Sequence, residues 1–191
     1  MNNYEYIIAS LPVISCESSQ GLDVDGVLSE IRSLLSEADA RNLDFVLDGF
    51  DPEKLCEEFY RKALRSPVRF IRNYFDFDLG LRNLKVEFIN RKLGRREGTD
   101  QLVLGEEMPD FGWEQDAEAI LEGEDILKKE RGLDDLVWKR VDELTQMDFF
   151  DIDFILGFVV KLKIVDRWLK LDPVTGHELF VRIVNEIRNN K

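Results

Sequence analysis

Residues 76–96 (DFDLGLRNLKVEFINRKLGRR) constrain this chain most, because they make sense only as a helix covered on two sides. On a 3.6-residue wheel, Phe77, Leu81, Leu84 and Phe88 share one face, and Leu79, Val86, Ile89 and Leu93 share the nearly opposite one. Asn83, Glu87 and Asn90 form a polar stripe between them. A helix with two apolar faces packs between other helices rather than on a surface. Asp76 is suited to cap its start and Gly94 to end it, so the pattern predicts a central helix with Leu84 and Phe88 buried at its middle. Its far end is cationic, with Arg91, Lys92, Arg95 and Arg96, and Arg82 and Lys85 flank its faces. These six are the candidate partner-binding residues, and they point to an assembly component more than to a catalyst.

Helical signals recur around this element. Asp51-Pro52-Glu53 places a cap, a first-turn proline and a first-turn acid ahead of a helix to about residue 65, with Leu55, Phe59 and Ala63 as its stripe and Cys56 and Tyr60 beside it. Asp172-Pro173 repeats the device before a last helix to about residue 189. Residues 23–35 and 37–47 read as a helical hairpin with Val27, Ile31, Leu34 and Leu35 inward, and Ser66-Pro67 begins a short helix to about residue 74. Leu136, Val137, Val141 and Leu144 mark a helix over 133–147, while Ile155, Phe158, Val159, Leu162, Val165 and Leu169 mark another over 152–171. Residues 4–8 suit either a strand or a first helical turn. The expected class is all-α, a bundle of about eight helices in two packed halves, 1–97 and 112–191. An acidic loop over 98–111, rich in glycine, divides them; one continuous domain is the other arrangement.

Charge is segregated along the chain. The net charge is −13, which argues against nucleic acid as the main partner. Yet residues 61–96 hold eleven Lys or Arg against three acids, and residues 98–127 hold ten acids and no base. Such polarity either orients docking against complementary proteins or forms a solvated surface whose halves neutralise each other. Two cysteines, Cys16 and Cys56, make no disulfide scaffold; their spacing alone leaves a pairing open, and reduced, buried thiols are the expectation. The opening residues have no basic segment typical of a signal peptide, and the longest apolar run, 154–160, is far short of the roughly 20 residues a span needs. A cytoplasmic protein, membrane-associated only peripherally through partners, is the expectation.

Candidate chemistry is sparse. His177 lies on an apolar face of the last expected helix and reads as a packing residue rather than a zinc ligand. Glu106, Glu107, Asp110 and Asp116 lack the alternating spacing and central glycine of a calcium loop. No nucleophile motif and no glycine-rich phosphate cradle occurs; residues 94–98 (GRREG) suit weak anion binding at most. Arg69, Phe70, Arg72, Tyr74 and Phe75 interleave cations and aromatics as single-strand binders do, but the aromatics suit a helical core equally. No cofactor, no metal and no enzymatic role is expected.

The run Phe77-Asp78-Leu79-Gly80-Leu81-Arg82-Asn83-Leu84-Lys85, followed by Asn90-Arg91-Lys92-Leu93-Gly94, resembles the D-x-x-N-L-(K/R)…R-x-K-x-x-G helix of the C-type subunits of V/A-type ATPases, a family named d-type in eukaryotes. Tyr4-Glu5-Tyr6-Ile7-Ile8-Ala9-Ser10-Leu11 is similar to that family's tyrosine-rich opening, with Ser10 where the family prefers arginine. The ending Glu186-Ile187-Arg188-Asn189-Asn190-Lys191 is similar to its C-terminal close. The opening also resembles short, uncharacterised bacterial proteins linked to V-type ATPase operons. The resemblance implies an all-α, non-catalytic socket between the membrane rotor ring and the central shaft, or a related assembly factor. Its partners would then be other subunits of that ATPase. A free-standing helical interaction module or regulator is the alternative.

Overall fold

The computed structural model describes residues 4–15, 21–104, 111–147 and 150–171. Among them it contains eight helices and no strand, an all-α bundle: α1 (Glu5–Ser10), α2 (Val24–Leu34), α3 (Glu37–Asp48), α4 (Glu57–Leu64), α5 (Arg69–Leu93), α6 (Glu114–Leu121), α7 (Ile126–Thr145) and α8 (Ile152–Leu171). The expected helix over 172–189, with His177, lies outside the described residues, as do Cys16, Glu106, Glu107 and Asp110. Helix starts follow local chemistry. Asp23 accepts from the Gly26 amide, Ser36 from Asp39 and Asp125 from Lys128, each satisfying an amide that has no partner inside its helix.

Several boundaries differ from the sequence-based expectation, among them the start of α7, which begins at Ile126 rather than at 133. The two helices expected over 66–74 and 76–96 are one, α5, whose N-cap is Val68. Asp76 is an exposed mid-helix residue rather than a cap, because nothing between Tyr74 and Phe77 interrupts the helical backbone. Gly94 does end the helix, in a left-handed conformation with φ 63°. The Asp51-Pro52 pair closes a turn instead of opening α4. The Asp51 carboxylate accepts from the Glu53 amide at 3.1 Å and its carbonyl from Lys54 at 3.0 Å, so the helix starts at Glu57. Residues 4–8 fall in and before a short helix, α1, and α6 lies where only a loop and the start of a second half were expected.

Two apolar clusters meet at α5. In the first, Phe70, Ile71, Tyr74, Phe75 and Leu79 pack with Leu43 and Val46 of α3, Phe59 and Ala63 of α4, and the buried face of α8. In the second, Phe77 and Leu81 pack with Ala117 and Leu121 of α6 and with Leu133 and Leu136 of α7. The helix is therefore covered on both sides over most of its length. Toward its end the cover thins: Leu84 and Phe88, expected buried, are only partly so, and Ile89 and Leu93 are 51% and 60% exposed. Residues from both sides of 98–111 share the first cluster, so that stretch does not separate two cores. Cys56, expected buried, is an exposed free thiol at the N-cap of α4. Among the described residues no helix is long and apolar enough to cross a membrane.

Candidate functional site

The six cations singled out from the sequence fall into two groups. Arg82 and Lys85 face a cleft of about 390 Å³ bounded by α5, α7 and α8. Charges in the cleft are paired, some within one helix and some between two. Asp78 accepts from the Tyr60 hydroxyl at 2.6 Å and from Arg82 Nε at 2.7 Å. Asp134, buried on α7, accepts from Arg167 at 2.5 Å and from the Trp168 indole at 2.6 Å. Asp166 receives Lys163 and Lys170, both at 2.9 Å. Lys85 has no ion pair among the described residues, and no hydrogen bond of the Tyr74 hydroxyl is found there.

Electrostatics fix the protonation of these groups. Burial, and then the Asp78 charge, push both Tyr60 and Tyr74 well above the usual phenol range. At neutral pH both stay protonated and do not act as bases, and Tyr60 donates to Asp78. Burial works against the charge of Arg82, but Asp78 outweighs it and raises the guanidinium further. Burial likewise opposes ionisation of Asp166, yet hydrogen bonds from Lys170 and Lys163 hold its carboxyl below the usual range. A neutralised network of this kind fixes helices against one another, and Lys85 remains available for one acidic group.

The second group sits at the exposed end of α5. Arg91 pairs with Glu118 of α6 at 2.5 Å, and Arg95 lies 3.8 Å from Asp100. The Lys92 ammonium stands 5.2 Å from the Phe88 ring centre, and Arg96 has no ion pair among the described residues. These pairs join the basic stretch to the acidic one only at points, so most of both charge runs faces water. The weak anion site suggested at residues 94–98 is not formed, because the Gly98 amide donates to Glu87 at 3.1 Å. The interleaved aromatics of 69–75 face the core, while Arg69 reaches Asp153 and the Leu144 carbonyl and Arg72 bonds the Ser66 carbonyl. Among the described residues no group of three His, Cys, Asp or Glu is placed to hold a metal ion.

Sequence reasoning missed the role of the polar stripe. Asn83 and Asn90 are 4% and 1% exposed. The Asn83 amide donates to the Leu102 carbonyl at 2.8 Å and accepts from the Leu102 amide at 2.9 Å, while Asn90 donates to Thr99 at 2.6 Å. An asparagine between two apolar faces was the available signal, since such a position is buried whenever both faces are.

No curated protein and no solved structure matches the chain. Residues 51–191, which carry α4 to α8 and every charged residue of the cleft, match the family described as "Protein of unknown function (DUF2764)". The match spans more than half of the chain, which therefore belongs to that family.

Proposed function

We propose that this protein is a non-catalytic helical subunit or assembly factor of a bacterial V/A-type ATPase, docking to ring or shaft subunits through α5. The observation that carries the reading is an uncovered strip along the last two turns of that helix. There Ile89 and Leu93 remain exposed beside Lys92 and Arg96, on a rigid 25-residue element whose other turns are packed. An apolar pair rimmed by cations, on a helix anchored in two clusters, has the composition of a docking edge. The same helix bears the residues that resemble the motif of the C-type ATPase subunits, from Phe77 to Gly94. In this reading the protein is cytoplasmic and reaches the membrane only through its partners.

Affinity purification of the tagged protein from native membranes in mild detergent is the test. ATPase subunits are expected to co-purify, and weakening by Lys92→Glu with Arg96→Glu is expected. Recovery with no ATPase subunit ends the proposal and leaves a free-standing interaction module as the reading.

A further inference from the structure

A second surface, separate from both cation groups, lies between α5 and the segment that follows it. Its shape is set by the buried asparagines. Asn83 holds the Leu102 backbone through two hydrogen bonds, Asn90 holds Thr99, and Glu87 accepts from Gly98 and Gln101. Residues 98–102 are thus stapled along the helix, and a groove of about 620 Å³ is left beside them. Its floor is apolar, with Leu64, Leu79 and Leu84 on one side, Val103 and Leu104 on the other, and Phe111 lying against Gly80.

The charge around that floor has one sign. Asp76, Glu87, Glu97 and Glu114 line the groove, and among the described residues no Lys or Arg does. Asp76 and Glu97 are exposed and have no partner among the described residues. An apolar trough bordered only by carboxylates complements a helix with apolar residues on one face and Lys or Arg beside them.

We propose that this groove docks a basic amphipathic helix of a partner protein, its apolar stripe on the Leu79–Leu84–Val103 floor and its cations against Asp76 and Glu97. The proposal does not rest on the ATPase reading. It needs only the geometry of the groove and the sign of its rim.

The test measures fluorescence anisotropy of a labelled Leu/Lys amphipathic peptide of about 18 residues, long enough to hold a helix, titrated with the full chain. A Leu/Glu peptide of the same pattern and a scrambled Leu/Lys peptide serve as controls. The patterned Leu/Lys peptide is expected to bind at least about tenfold more tightly than either control, and less tightly at high salt. Asp76→Asn with Glu97→Gln, and separately Val103→Asn, are each expected to weaken binding about fivefold. All three side chains are exposed or rim-placed, so unchanged melting curves would show that the fold is intact. Equal binding of the scrambled peptide, or full binding by both variants, would overturn the proposal. So would binding that appears only when 105–110 is replaced by a Gly/Ser linker, which would make that connection the occupant. Self-association abolished by the rim variants would assign the groove to a second copy and equally refute a foreign helix.

Discussion

Asn83 makes two hydrogen bonds that no aliphatic side chain can replace, since its amide pairs with both the carbonyl and the amide of Leu102. Truncation leaves both Leu102 groups unpaired beside an apolar floor, so Asn83→Ala is expected to cost about 2 kcal/mol in urea unfolding. Faster proteolysis between residues 97 and 104 should accompany it. The wheel placed Asn83 and Asn90 on a stripe, but burial of that stripe depends on a segment 9–19 residues further on, which no local period reveals. Asp166, by contrast, is held within its own helix, with Lys163 and Lys170 one turn away on either side along α8. Its folded pKa is depressed below the unfolded value of about 3.9 by Lys163 and Lys170, against the opposing effect of burial. The stabilisation is therefore complete above that unfolded value and is lost as pH falls through the lower, folded one. Asp166→Asn should cost about 1 kcal/mol at pH 7, given that Lys170 is largely exposed, and almost nothing near pH 2. Melting curves of both proteins across that range check the sign.

Among the elements, α8 was legible to the residue and α2 and α3 nearly so, because each carries apolar residues at helical spacing, although α8 is buried nearly all round and Leu34, expected inward on α2, is 43% exposed. α5 was legible as a two-faced helix, but its start was not. Ser66-Pro67 and Asp76 both carry start signals, and only packing decides that the backbone runs unbroken between them. The first turns of α7 were missed for the opposite reason: Ile126 and Leu127 are 72% and 65% exposed, so no stripe marks them. The crossing of α7 and α8 depends on a feature that looks unfavourable in sequence, a glycine inside a helix. A Cβ on Gly157 would stand 2.6 Å from Thr145 Cγ2 and 3.1 Å from Val141 Cγ1. The Thr145 hydroxyl bonds the Val141 carbonyl at 2.9 Å, which holds that methyl in place. Gly157→Ala is expected to destabilise by about 1–2 kcal/mol, although alanine is intrinsically the better helix former by about 1 kcal/mol. Adding Thr145→Ser removes the obstructing methyl and should recover part of the loss, a coupling that a double-mutant cycle measures.

For the whole molecule, the decisive pattern is that charge stays segregated after folding. The basic stretch 61–96 and the acidic stretch 98–127 meet at Arg91–Glu118 and Arg95–Asp100, and few other ion pairs among the described residues join them. Of the six cations picked from the sequence, Arg82 is taken up by Asp78, and Arg91 and Arg95 have acidic neighbours. Lys92 and Arg96 remain as exposed charges next to the exposed Ile89 and Leu93. Reversal there tests the docking edge without touching a core contact. Lys92→Glu with Arg96→Glu should change thermal stability by no more than about 0.5 kcal/mol, because both side chains are exposed and outside any ion pair. Arg91→Glu should cost up to about 1 kcal/mol more, since it places like charges beside Glu118. If α5 docks through this end, the double reversal slows association with the captured partner, and the slowing shrinks as salt rises, because long-range attraction is screened beyond about 10 Å at 0.1 M. Binding kinetics at two ionic strengths beside a melting scan decide the matter. Variants that unfold would make these cations structural, and folded variants that associate at the original rate would remove this edge from the interface.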